Sequence, residues 1–177
     1  MQVTGHLCAT SYAEAAAAGI DNLEHGFGAA TDFVEGRMPD TCSQANAAKL
    51  ATMNPANTAE QQLITDLIEH GVTLTSTLAV FESFSAGLPE LDTLSSSLLS
   101  PDSRALYRAR KARVDAGAAD NHWADAVKSM QAMELAFYRA GGRLVAGTDP
   151  TGVGRVLPGP GSIRTLELLQ EAGLTPM

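Results

Sequence analysis

The sequence is poor in cysteine and contains no long apolar run. Cys8 and Cys42 are the only cysteines and show no C-x-x-C spacing, which excludes a disulfide-rich scaffold and the usual structural zinc site. A single bridge and a reducing compartment are both compatible with two cysteines. No window approaches the roughly 18 consecutive apolar residues of a membrane-spanning helix, so the sequence predicts no such span.

Basic residues are also scarce: 12 Lys and Arg stand against 20 Asp and Glu, for a formal net charge of −8. Nucleic-acid grooves and anionic membrane surfaces bind patches of Lys and Arg, so the charge argues against both partners. The one basic cluster, between Arg104 and Arg113, is interpreted as a solvated helix face. The phosphate-binding loop motif and the nucleophile-elbow motif are both absent.

What the sequence contains is an alternation of short apolar runs with helical segments. Its 177 residues suffice for one globular domain or for part of a larger one. Strands are predicted at residues 2–8, 20–24, 72–80 and 143–146. The capping box Ser11-x-x-Glu14 predicts the start of the first helix. Such alternation is typical of α/β folds with parallel strands, either an open doubly wound sheet or part of a (β/α)8 barrel of TIM type.

Three polar residues follow predicted strands where each strand ends: His6, His25 and Asp149. Parallel α/β folds build their sites at this edge. Two imidazoles and one carboxylate are suitable ligands for a divalent metal such as zinc, iron or manganese. A single residue of this kind more often has an ordinary structural role, and only the three together favour a shared site as much as separate roles. A structural role is still more common for His70 and His122, which fall in or next to helical segments.

Four segments carry further motifs: Val3-Thr4-Gly5-His6-Leu7, the run from Gly19 to Gly26 with its Glu-His-Gly, Val145-Ala146-Gly147-Thr148-Asp149, and the helical stretch near 159–176. In this order they resemble the amidohydrolase superfamily. The nearest branch contains the imidazolonepropionase-like hydrolases and prolidase-type dipeptidases. Their barrels carry a metal-binding histidine after strand five, another after strand six, and an aspartate after strand eight.

The resemblance implies a metal-dependent hydrolase of carbon–nitrogen bonds, in a small amide, cyclic amide or peptide substrate. His6, His25 and Asp149 would be the ligands of a divalent metal, with zinc the first choice. Asp149 would also be the catalytic proton shuttle. Metal-activated hydroxide would attack the carbonyl carbon, and Asp149 would pass a proton to the leaving nitrogen.

The chain departs from the family pattern in ways that suggest only half of a barrel. The family's His-x-His pair is absent, and the three lysines, Lys49, Lys111 and Lys128, all follow His6, whereas the family's bridging lysine precedes strand five. We therefore interpret residues 1–177 as the C-terminal half of the barrel, about strands five to eight, without its N-terminal half. A half-barrel leaves two sheet edges and an apolar inner face uncovered, and we expect an isolated chain to be inactive or nearly so, and unstable or self-associating.

Two alternatives remain at this point. One is a non-catalytic α/β module that folds by self-association or with a partner chain. The other is an open-sheet enzyme that uses the same three residues without a barrel. The pocket would come from loops at 27–56, 82–100 and 150–161, with Phe27, Phe81, Phe84 and Arg155 as lining residues or as ordinary packing. The compartment is not determined by the sequence, with the cytoplasm favoured.

Overall fold

The fold is α/β, with one four-stranded parallel sheet, as the alternation predicts. A computed structural model describes residues 1–42, 47–150 and 155–175. The strands lie side by side in chain order, β1-β2-β3-β4, and every neighbouring pair is parallel. They are β1 Thr4–Gly5, β2 Asn22–Glu24, β3 Thr73–Ser76 and β4 Arg143–Ala146.

Helices connect the strands and cover one face of the sheet. They are α1 Tyr12–Ala17, α2 Ala47–Leu50, α3 Thr58–Glu69, α4 Leu78–Glu82, α5 Thr93–Leu98, α6 Pro101–Ala116, α7 Trp123–Arg139 and α8 Pro160–Ala172, with a 3-10 turn at Ala118–Asp120. The prediction of a strand through residue 80 is wrong, because the chain turns into α4 directly after Thr77. Within the described ranges no helix combines the length and apolarity needed to cross a bilayer.

The first helix is fixed at its start by two carboxylates. Ser11 and Glu14 form the predicted capping box, in which the Ser11 hydroxyl accepts from the Glu14 amide and the Glu14 carboxylate accepts from the Ser11 amide. Asp32 adds a second cap, since its two oxygens accept from the amides of Tyr12 and Ala13 at 3.0 Å each. The free N–H groups of the first turn are thereby satisfied, and the loop after β2 is tied to α1.

The core lies between the sheet and its helices. Leu23 of β2 and Leu74 of β3 point to this side and are fully buried. They meet the apolar stripes of α3 and α7, the latter formed by Val127, Met130, Met133 and Phe137, as the helical spacing predicts. On the outside, Arg164 of α8 forms a bidentate ion pair with Glu82 of α4, in which its Nε and Nη2 donate to the two carboxylate oxygens at 2.8 and 2.7 Å. The short helix that follows β3 is therefore held from both sides.

The opposite face of the sheet is polar, so the expectation of an apolar inner face is wrong. Thr4 donates to Glu24 at 2.6 Å, Asn22 donates to the same carboxylate at 2.9 Å, and Thr75 donates to Asn22 at 3.1 Å. Side chains on adjacent strands face one another here because Asn22 pairs with Thr73 and Glu24 with Thr75. This row of hydrogen bonds lets the face meet water without a large apolar patch.

Candidate functional site

The structure brings His6, His25 and Asp149 to one cavity. His6 follows β1, His25 follows β2 directly, and Asp149 lies three residues beyond β4. All three line a cavity of about 300 Å³ at the carboxyl ends of the strands. The shared edge of a parallel sheet is what gathers residues that are so far apart in sequence.

His25 is the central residue of the three. Its ring centre lies 4.7 Å from that of His6, edge-on at 78°. Its Nε2 lies 3.9 Å from Oδ2 of Asp149, and its Nδ1 lies 2.8 Å from the hydroxyl oxygen of Thr77. Only 12% of the His25 side chain is exposed, against 48% for Asp149. Asp149 thus presents a carboxylate to solvent while His25 is held inside.

The electrostatics around His25 favour its neutral form. Burial lowers the pKa of His25, and the neighbouring His6 lowers it further, while Asp149 and Glu24 act in the opposite direction. A neutral imidazole keeps a lone pair on one nitrogen. If Nδ1 carries the hydrogen and donates it to Thr77, that lone pair lies on Nε2, which faces Asp149.

Two of the three residues occupy unusual backbone conformations. His25 has a φ of 73° and Asp149 a φ of 44°, both in the left-handed region. Such residues cost on the order of 1–3 kcal/mol and persist where the surrounding structure enforces them. The Gly26 amide donates to the Thr75 carbonyl at 2.8 Å, and the Gly147 amide donates to the Ser76 carbonyl at 2.7 Å. Backbone hydrogen bonds to β3 therefore fix both turns. Strain of this kind concentrates at functional sites.

A buried carboxyl group lies directly behind this edge, and sequence reasoning missed it. Glu134 of α7 is 1% exposed, and its Oε2 has no hydrogen-bond partner among the described residues. Burial raises the pKa of Glu134 to about 8, with the hydroxyl of Ser76 acting in the opposite direction. The signal was present in the sequence, since position 134 falls between Met130 and Phe137 on the buried stripe of α7.

The wall of the cavity is aromatic. Phe81, Phe84 and Trp123 line it, and Phe81 lies edge-on to His25 with 6.0 Å between ring centres. Phe27 does not line this cavity, because it packs in the core against Phe137. Of the lining residues proposed from sequence, Phe81 and Phe84 therefore line the cavity, and Trp123 is a lining residue that was not among them.

Arg155 lines a different cavity, of about 470 Å³, on the other side of α4. Its guanidinium donates to the carbonyl of Ser83, and its side chain is buried. The two remaining histidines also lie elsewhere: His70 caps the end of α3 and contacts the Asp66 carbonyl at 2.8 Å, and His122 precedes α7.

The two cysteines form a disulfide bridge, Cys8–Cys42, across a sequence separation of 34. Cys8 lies two residues after His6 and contributes to the lining of the site cavity. The bridge therefore ties the segment after β1 to the long loop after β2. In this state neither sulfur is a thiolate ligand or nucleophile.

The residues fit a divalent metal in part. Two ligand bonds of about 2.0–2.2 Å can together span up to about 4.4 Å, and the 3.9 Å between Nε2 of His25 and Oδ2 of Asp149 lies within that span. In the part of the chain that the structure describes, however, no group of three or more His, Cys, Asp or Glu side chains is arranged to hold a metal ion. His25 and Asp149 are therefore spaced to bind one metal ion, but these residues alone do not complete its set of ligands.

Comparisons with known proteins give no match: no protein-family model, no curated protein and no solved structure is similar to the chain. The likeness to the amidohydrolase superfamily therefore depends on the motifs around His6, His25 and Asp149.

Proposed function

We propose that this chain is the C-terminal half of an amidohydrolase-type (β/α)8 barrel and contributes to a metal-dependent hydrolase of carbon–nitrogen bonds. The observation that carries the proposal is the approach of His25 Nε2 to Asp149 Oδ2, 3.9 Å apart at the carboxyl edge of a parallel sheet. His6 lies against the same imidazole. The substrate class is a small amide, cyclic amide or peptide.

The strand order supports a barrel wall over an open doubly wound sheet. Doubly wound sheets reverse their strand order at a switch point, where the ligand binds. Here the order runs β1-β2-β3-β4 without reversal, as in a continuous section of a barrel. The open-sheet enzyme is the less favoured alternative for this reason.

His25 and Asp149 have distinct roles in the proposed reaction. Thr77 holds the ring of His25 through Nδ1, which leaves Nε2 for a ligand bond. A divalent metal held there by His25 and Asp149 would supply hydroxide near neutral pH and polarise the carbonyl oxygen of the substrate. The Asp149 carboxylate, half exposed beside His25, accepts the proton of the attacking oxygen and delivers it to the leaving nitrogen.

The proposal requires further donors from outside the described residues. The His25–Asp149 pair with His6 does not close a ligand set, and β1 and β4 have no outer strand neighbour in the described part of the sheet. An N-terminal half, in the same chain or in a partner, would cover these edges and complete the metal site. The chain alone should bind metal weakly and show little activity.

The second candidate is a non-catalytic module that self-associates or pairs with a partner chain. The two open edge strands favour it, together with Val3 and Val145, which are 46% and 49% exposed near β1 and on β4. Association alone requires none of the three candidate ligands, which separates the two hypotheses.

Calorimetric titration of the chain with zinc tests the leading proposal. We expect one weak site, lost in the triple variant His6→Ala, His25→Ala, Asp149→Ala. The double variant His70→Ala, His122→Ala removes the other histidines, both exposed, and should bind as the native chain does. Unchanged binding in the triple variant, or equal loss in the control, would contradict the proposal. Complementation with the missing half, assayed on simple amides, then tests hydrolysis.

A further inference from the structure

The aromatic wall of the site is a continuous surface built from two elements. Phe81 belongs to α4 and Phe84 lies in the turn that follows it, with 6.5 Å between the two ring centres. Trp123 is the first residue of α7. Its ring centre lies 4.9 Å from that of Phe84 and 5.9 Å from that of Phe81, nearly stacked on the latter at 29°.

This surface opens into the cavity and reaches the candidate ligands. Phe84 and Trp123 are only partly buried, and both line the cavity. Phe81 connects them to His25, at 6.0 Å between ring centres and 90° between planes. Gly28 permits this position of Phe81, because a Cβ there would lie 2.2 Å from the ring. A group resting on the wall would therefore lie beside His25.

The charges in the cavity restrict what that group can be. Its lining includes one carboxylate, Asp149, and two imidazoles, and it includes no Lys or Arg among the described residues. A carboxylate on the wall side of the ligand would find no cationic partner and would face Asp149. Most of the remaining lining is apolar, including Leu7, Ala29 and Val80, and Thr31 adds one hydroxyl. A neutral, apolar ring matches both the charge and the surface.

We propose that Phe81, Phe84 and Trp123 form a subsite for a neutral aromatic group carried by the amide substrate. This inference rests on the proposed function and specifies its substrate: an aryl amide whose ring stacks on the wall while its carbonyl lies near His25 and Asp149. The cavity, about 300 Å³, is at the small end of the range for such ligands and suits one ring with its amide.

Trp123 supplies the readout, since it is the only tryptophan in the sequence. The chain is titrated with benzamide, acetamide and benzoate in the presence of a chelator, and tryptophan emission is followed. Benzamide should change the emission saturably. Acetamide, which lacks the ring, should not, and benzoate, which adds a negative charge, should bind more weakly.

Variants separate the subsite from general packing. Phe84→Leu keeps an apolar side chain but removes a ring, and should weaken benzamide binding about 3–10-fold. Phe33→Ala is the control, because Phe33 is also partly buried but does not line this cavity. Circular dichroism establishes that both variants fold. Equal responses to acetamide and benzamide, unchanged binding in Phe84→Leu, or equal loss in Phe33→Ala would overturn the subsite.

The chelator makes the subsite and the metal site separately testable. Benzamide binding without zinc binding would support the aromatic subsite and contradict the proposed hydrolase function. Zinc binding that depends on His25, without benzamide binding, would keep the proposed function and overturn the subsite.

Discussion

Gly26 and Glu134 approach so closely that a Cβ atom at Gly26 would lie 1.9 Å from Oε1 of Glu134. The side-chain carboxyl group of Glu134, on α7, therefore packs against the backbone turn that carries His25. Tyr12 holds the same turn from another side, with its hydroxyl 2.8 Å from the Gly26 carbonyl. The position of His25 depends on this packing as well as on the strand that precedes it.

Replacing Gly26 by alanine should therefore destabilise the chain strongly. Gly26 has a φ of 54°, so alanine there suffers both a strained backbone and a clash with Glu134. We expect a loss of about 2–5 kcal/mol in the free energy of unfolding. The control is Gly71→Ala, where φ is 70° but no described atom beyond the adjoining residues lies within 4 Å of the new Cβ. That variant should lose about 1 kcal/mol. Equal losses in urea unfolding would show that the contact with Glu134 is unimportant.

Glu134 should make the stability of the chain depend on pH. Its folded-state pKa of about 8 lies above the ordinary value of 4.5, so the folded chain retains a proton that the unfolded chain loses between these values. Stability should fall as the pH rises through this window. Glu134→Gln removes the ionisation and should be more stable than the native chain near pH 8, by on the order of a few kcal/mol, with no such advantage below pH 4.5.

The matched control for Glu134→Gln is Glu69→Gln, at an exposed position at the end of α3. Its stability should follow the native pH profile. Denaturant unfolding at several pH values measures all three proteins. A Glu134→Gln advantage that is the same at acid and neutral pH would contradict the buried-carboxyl explanation.

His25 should titrate below its ordinary pKa of 6.5, because burial and His6 both oppose its charge. Proton NMR of the imidazole signals measures this directly. Asp149→Asn should lower the pKa further and His6→Ala should raise it, since Asp149 supports the charged form and His6 opposes it. Because folding lowers this pKa, His25 should reduce stability as the pH falls below 6.5. A His25 pKa at or above 6.5 would contradict the described burial.

Thr77 should act on metal binding by orienting His25. Thr77→Val keeps the shape of the side chain and removes the hydroxyl that contacts Nδ1 at 2.8 Å. Loss of such a contact typically lowers metal affinity about 10–100-fold. Thr65→Val is the control, because it removes an exposed hydroxyl that donates to the Gln61 carbonyl within α3. Calorimetry with zinc should show the loss in Thr77→Val alone, and an equal effect in both variants would exclude an orienting role.

The sequence predicted the elements whose signals are local. β4 was placed at its observed bounds, Arg143–Ala146, because a pair of glycines precedes a short apolar run and another glycine follows it. The strand predicted through residue 80 failed because β-branched residues alternate there, yet the chain turns at Thr77 once the sheet ends. Tertiary context overrode propensity at that point.

A shared location of His6, His25 and Asp149 could be predicted from the sequence, because each residue follows a predicted strand and the three line one cavity. The polar inner face of the sheet could not be predicted, because strands of two to four residues are too short to show which of their faces is buried. The helical spacing does place Glu134 on the buried stripe of α7, but the contact of Trp123 with the cavity could not be predicted in the same way. Helical periodicity gives the face of α7 but does not say what that face meets.

The most direct test of the central claim is the position of a bound metal. Crystals of the chain soaked with zinc, with data collected at the zinc absorption edge, would locate it by anomalous scattering. We expect a peak within ligand-bond distance of Nε2 of His25 and Oδ2 of Asp149, with His6 beside it. No peak at that position at saturating zinc, or a peak only at an outlying residue such as His70, would contradict the claim.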